Sequence, residues 1–114
     1  MENNVIKVKT FEFALKVLVL YKDKVNYKNR VLFEQLLRSA TSVGANVEES
    51  IGGYSRKDFK SKISISYKEA RESRYWLRLL KEGKLCDFDE SYLINIDEIC
   101  KILGKILSTL KTKY

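Results

Sequence analysis

Residues 34–53 read EQLLRSATSVGANVEESIGG. Leu36, Leu37, Ala40, Val43, Gly44 and Val47 recur at helical spacing, so the stretch reads as one helix. Its middle is crowded with small residues: Ser39, Ala40, Thr41, Ser42, Gly44 and Ala45. Small residues let a second helix backbone come close. Such an approach explains a mid-helix glycine, which costs about 1 kcal/mol against alanine. Arg38, Asn46, Glu48 and Glu49 add polar groups to the same segment. The expectation is a crowded helix junction, with Asn46 hydrogen-bonded across it. That bears on assembly more than on chemistry.

Working outward, this second helix spans about 28–51. Leu32 and Ile51 extend its core stripe, and Gln35, Arg38, Ser39, Ser42, Asn46 and Glu49 form the opposite, polar face. Gly52 and Gly53 end it, glycine being suited to a left-handed helix stop. Before it, a first helix spans about 10–24, with Thr10 as N-cap and residues 1–9 as a loose leader. Phe11, Ala14, Leu15, Leu18 and Tyr21 make one apolar stripe, and Phe13, Val17 and Leu20 make a second. A bundle helix needs one such face. The second either covers more of the core or meets another subunit.

After Gly53, Ser55 followed by Asp58 resembles a capping box for a third helix over 56–82. Its inward positions are Phe59, Ile63, Ser66, Ala70, Ser73, Trp76, Leu77 and Leu80, and Gly83 stops it. A fourth helix spans about 90–111, capped by Asp89 or Ser91, with Tyr92, Leu93, Ile96, Ile99, Cys100, Leu103, Ile106, Leu107 and Leu110 on one broad face. Short links force antiparallel neighbours. The fold expected over residues 1–114 is a single-domain, all-α, up-and-down antiparallel four-helix bundle.

Composition narrows the function. Proline is absent and glycine scarce, as suits a helical chain. No apolar run approaches the ~20 residues of a membrane span, and the N-terminus lacks the pattern of a signal peptide. A cytoplasmic protein with no membrane partner is expected. Cys86 and Cys100 form no CxxC pair and no disulfide is expected. The chain has no histidine, so it lacks the commonest general base and zinc ligand. Glu48, Glu49 and Glu69 are the carboxylates set near apolar faces. An ion pair, with Arg38 facing Glu69, explains them better than a metal. Neither catalytic residues nor a metal or other cofactor is expected.

The charge is the functional signal. Lys and Arg number 22 against 15 Asp and Glu, a net charge of +7. Lys60, Arg71, Arg74 and Arg78 lie within about 60° of one line on the third helix. Lys57 and Lys81 flank that line, and Tyr67 and Tyr75 are interleaved with it. A row of cations tracks a phosphate backbone, and tyrosine stacks on an exposed base. The plainer explanation is a solvated face whose cations pair with Asp58, Glu72 and Glu82.

QLLRSATSVGANVEE, followed by GG-Y-S-R-K-DF and KEARESRYWLRLL, resembles the bacterial proteins encoded in intervening sequences of 23S ribosomal RNA genes. The resemblance runs from Phe11 to about Leu110. It implies an up-and-down four-helix bundle that assembles as a ring-shaped homopentamer. A similar protein is the accessory factor of diversity-generating retroelements, where it binds a reverse transcriptase. Arg38, Ser42, Asn46, Glu48, Glu49, Glu69 and Trp76 carry over as motif positions, with no catalytic role.

The expected protein is a non-enzymatic homo-oligomer that binds RNA or a nucleic-acid-handling protein. Lys57, Lys60, Tyr67, Arg71, Arg74 and Arg78 are the candidate nucleic-acid surface. Phe13, Val17, Leu20, Arg38, Ser42, Gly44, Asn46 and Glu49 are candidates for oligomer or helix contact. The alternative is a pure protein scaffold, such as a reverse-transcriptase subunit, whose charge serves only solubility.

Overall fold

Helices form where apolar residues recur every three or four positions, and the computed structural model places four of them in sequence. They are α1 (Glu2–Lys24), α2 (Arg30–Ile51), α3 (Arg56–Glu82) and α4 (Ser91–Lys113). The structure describes residues 2–53 and 55–113, with side chains over 5–53 and 55–111. Tyr54 of the family-like motif thus lies outside the described residues. α1 packs on α2 and α4, and α3 closes the square by packing on the same two. The fold is an up-and-down four-helix bundle, 46 Å long and 21 Å across.

The core runs down the bundle axis. Phe13, Val17, Phe33, Leu36, Val43, Ile63, Leu77, Leu80, Ile96, Ile99 and Leu103 are almost wholly buried in it. Each such side chain contributes about 1.5–3 kcal/mol relative to an exposed one.

α1 departs from the sequence pattern in two ways. It begins at Glu2, so Thr10 is not a cap and most of the leader is helical. Ile6, Thr10, Phe13, Val17 and Leu20 form its inner face, all buried. The Thr10 hydroxyl donates to the Ile6 carbonyl at 2.8 Å, which satisfies a polar group inside the core. Phe13, Val17 and Leu20 therefore contact the helices of their own bundle. Phe11, Leu15 and Leu18 stand outside, 58%, 47% and 42% exposed.

α2 begins at Arg30 instead of Lys28 because the preceding turn is built on asparagines. Asn26 Oδ1 accepts from the Lys28 and Asn29 amides, and Asn29 Oδ1 accepts from the Asn26 amide. Asn29 is buried, and its Nδ2 donates to the carbonyls of Lys24 (3.1 Å) and Leu85 (3.0 Å). One side chain thereby ties the α1–α2 turn to the α3–α4 turn. Phe33, not assigned to the core stripe, is fully buried, whereas Ile51 is exposed. Gly52 has φ −88°, so α2 ends without a left-handed glycine.

The other caps are local. Ser55 Oγ accepts from the Asp58 amide at 3.1 Å at the start of α3. At its end Lys84 takes φ 57°, and the Leu85 and Lys84 amides donate to the Leu80 and Lys81 carbonyls. This is a Schellman closure, with lysine where glycine is usual. Asp89 accepts from the amide and hydroxyl of Ser91, which starts α4 and holds its carboxyl below the usual range.

Replacing Asn29 by Ala leaves two carbonyls without their donor in a buried turn. The expected loss is about 1–3 kcal/mol. Thermal or urea unfolding of Asn29→Ala measures it, and an unchanged midpoint would remove the tie between the turns.

Candidate nucleic-acid interface

The outward side of α3 is set by its inward side. Ile63, Ser66, Ala70, Ser73, Leu77 and Leu80 are buried, so the opposite sector faces solvent along the helix. That sector, taken as about 60° either side of Arg71, holds Arg56, Lys57, Lys60, Ser64, Tyr67, Lys68, Arg71, Arg74, Tyr75 and Arg78, with Glu82 at its C-terminal end. All are exposed except Tyr67, which is half-buried. No carboxylate of α3 falls in the sector between Lys57 and Arg78. The line is about 30 Å long at 1.5 Å rise per residue.

The C-terminal half of this line is a shallow groove of about 520 Å3, lined by Tyr67, Lys68, Arg71, Glu72, Arg74, Tyr75 and Arg78. Among the expected residues, Tyr67, Arg71, Arg74 and Arg78 therefore come together. Lys57 and Lys60 stand apart, nearer the start of the helix. Lys68 was missed, although its place three residues before Arg71 puts it on the same face.

Local pairing engages part of the row. Arg74 Nε lies 2.6 Å from Asp97 Oδ1 of α4, and Arg78 Nε lies 3.4 Å from Glu82 Oε2. Both pairs are about half exposed, and such pairs are worth about 0–1 kcal/mol, so a phosphate can displace the carboxylate. The Arg71 guanidinium lies 5.7 Å from the centre of the Tyr67 ring. That ring rests on α4 at Gly104, where a Cβ would stand 3.4 Å from Tyr67 Cε1. Tyr75 is 52% exposed and meets Trp76 edge-on at 5.2 Å.

Glu72 lines the groove but is held from the α2 side. The Arg38 guanidinium pairs with it, and Trp76 Nε1 donates to it at 3.1 Å. Arg38 Nη1 also lies 3.2 Å from Glu69 Oε1, so the buried carboxylate of α3 has the partner its position demands. Glu49 pairs with Lys62 at 2.8 Å, and this contact raises the Lys62 ammonium above its ordinary range. Glu48 lies 3.7 Å from Lys7.

The small residues of α2 meet their neighbours closely. Ser39 is buried against α3, not on a polar face, with its Oγ 2.8 Å from Ser73 Oγ. Ser66 Oγ donates to the Val43 carbonyl at 2.8 Å. Asn46 does not bridge helices: its Nδ2 donates to the carbonyl and hydroxyl of Ser42, one turn back. Gly44 lies under α1, and a Cβ there would stand 3.5 Å from the Thr10 backbone. Above that contact an apolar groove of about 520 Å3 opens, lined by Thr10, Phe11, Ala14, Leu15, Leu18, Thr41, Gly44, Ala45 and Glu48.

Burial pushes the Cys86 and Cys100 thiols up, opposite to the shift a thiolate nucleophile needs. Among the described residues, no group of Cys, Asp and Glu side chains is placed to hold a metal ion. Among them, too, no helix is long and apolar enough to cross a membrane.

The profile of the 23S rRNA-intervening sequence protein family matches residues 2–108. A solved structure from Bacteroides thetaiotaomicron VPI-5482, a protein with unknown function from the S23 ribosomal protein family, has the same fold. Its TM-score is 0.87 at 41% identity, over 95% of this chain and 99% of that one. No curated protein matches.

Gly44 provides the test of the helix junction. A Cβ at 3.5 Å from Thr10 is in ordinary contact, so Gly44→Ala fits and gains helix propensity, up to ~1 kcal/mol. Gly44→Leu forces α1 away and costs ~1–3 kcal/mol. Equal melting temperatures for the two variants would disprove the close approach.

Proposed function

The chain belongs to the 23S rRNA-intervening sequence protein family, and we propose that it is a non-enzymatic helical bundle that binds RNA along the outward line of α3. The carrying observation is the row from Lys57 to Arg78, in which cations and tyrosines stand without an intervening carboxylate. Six lysines and arginines along a ~30 Å row on one helix face make a track for a polyanion. Solubility alone asks for mixed charges.

Self-assembly is the second part of the proposal. Val8, Phe11, Leu15, Leu18 and Val19 are each 42–58% exposed on one side of α1. A contiguous apolar surface of this kind marks an interaction site. Its occupant is a second copy of the chain, in a pentameric ring acting in the cytoplasm. A ring repeats the α3 row around an axis, and multivalency then strengthens contacts that are weak singly. The same apolar surface also favours the competing scaffold reading, in which a reverse transcriptase or similar protein docks there and no RNA is held.

Two measurements test this. The change of Arg71, Arg74 and Arg78 to Gln keeps helix propensity and removes three charges per chain. Fluorescence anisotropy with a single-stranded RNA, at two salt concentrations, should show weaker binding. The salt slope should flatten by up to ~2 for three lost phosphate contacts. Unchanged affinity and slope in the folded variant would place binding elsewhere, and no binding by the parent at low salt would leave the scaffold reading. For assembly, light scattering at micromolar concentration should give a multiple of the 13.3 kDa chain mass. Leu15→Glu should lower it, and a monomeric parent would end the assembly proposal.

A further inference from the structure

The α3 groove treats its tyrosines differently. Tyr67 is committed: α4 supports one side of its ring at Gly104, and Arg71 lies over it at 5.7 Å. Tyr75 is open, 52% exposed, and its ring is braced by the edge contact with Trp76. Trp76 is itself fixed by its indole bond to Glu72 at 3.1 Å. Arg71, Tyr75 and Arg78 follow one another at spacings of four and three, so they share a face over about 10 Å. A braced, exposed aromatic ring between two guanidinium groups fits a base flanked by its phosphates.

We propose that this groove takes a single-stranded stretch of nucleic acid, with one base lying on Tyr75 and the adjoining phosphates on Arg71 and Arg78. The proposal rests on the RNA-binding reading above and adds the strandedness of the ligand and the residue that senses it. Phosphate and base face are common to RNA and DNA, so either strand serves. In a duplex the base faces are stacked on one another and closed to Tyr75. The major groove of A-form RNA is also too narrow to be read by side chains. A duplex therefore meets only the cations.

The test compares a 20-nucleotide pyrimidine RNA, the same sequence as DNA, and an RNA duplex, all by fluorescence anisotropy with the full-length protein. The parent should bind both single strands more tightly than the duplex. Tyr75→Leu keeps an apolar helix-former on an exposed site and should weaken single-strand binding about fivefold or more, leaving the duplex unaffected. Tyr75→Trp keeps the ring and should retain affinity, with indole fluorescence quenched on binding. Tyr27→Leu, which removes an exposed tyrosine of the α1–α2 turn, should change nothing. If Tyr75→Leu binds the single strand within twofold of the parent, or the duplex binds equally well, the stacking site is overturned while the basic track stands. If the parent binds no nucleic acid at low salt, both fall together.

Discussion

The hydroxyl contacts between α2 and α3 govern how closely the two helices lie. Ser39 meets Ser73, and Ser66 reaches the Val43 carbonyl, with Ala40 and Ala70 buried alongside. A serine that returns its proton to a backbone carbonyl or another hydroxyl is nearly as short as alanine and carries no unsatisfied group. A leucine at any of these places would hold the helices apart. The cost is that small side chains bury little apolar area, so the bundle relies on Phe33, Leu36, Ile63, Leu77 and the α4 isoleucines for its hydrophobic stabilisation.

That closeness sorts the charges of α3. With its inner face given to small and apolar residues, the long polar side chains sit at the flanks or outside. Glu69 and Glu72 fall on the flank next to α2, where Arg38 faces both. Glu49 on α2 similarly takes Lys62. The α3 carboxylates are thus drawn toward α2, and the cations that remain opposite have few acidic neighbours on their own helix. The predominance of cations in the outer row follows from the way α2 binds α3. Asp97, from α4, reaches into it through Arg74, and Glu82 pairs with Arg78 at its C-terminal end.

The four helices were legible because their apolar residues keep a 3.6-residue period and their stops are punctuated by short turns. α3 was clearest, since Ser55, Asp58 and Gly83 mark its ends. The register of α1 was not. Its true core line passes through Thr10, and a threonine before an apolar run reads as a cap. Only its bond to Ile6 reveals it as a core residue. With that line lost, the outer stripe of Phe11 and Leu15 read as the bundle face and the inner stripe of Phe13, Val17 and Leu20 as the extra one, the reverse of their burial. Ser39 was misplaced for a related reason: its neighbour across the interface is another serine, which no local pattern discloses. The Arg71–Arg78 row was legible by angle alone. The Asp97 partner and the difference between Tyr67 and Tyr75 depend on how α4 is rotated against α3, a tertiary quantity.

The two candidate surfaces lie on opposite sides of the bundle, because α1 and α3 are diagonal and each packs on α2 and α4. An apolar interface on α1 would therefore leave the α3 row uncovered. This matters for electrostatics: joining protomers through charged faces would desolvate cations and oppose assembly. Joining them through Phe11, Leu15 and Leu18 removes apolar area from water and leaves every α3 row on the periphery. The repulsion between rows on neighbouring protomers is then screened over a Debye length of ~8 Å at physiological salt. A polyanion spanning two rows would relieve it further, which couples binding to assembly through charge alone.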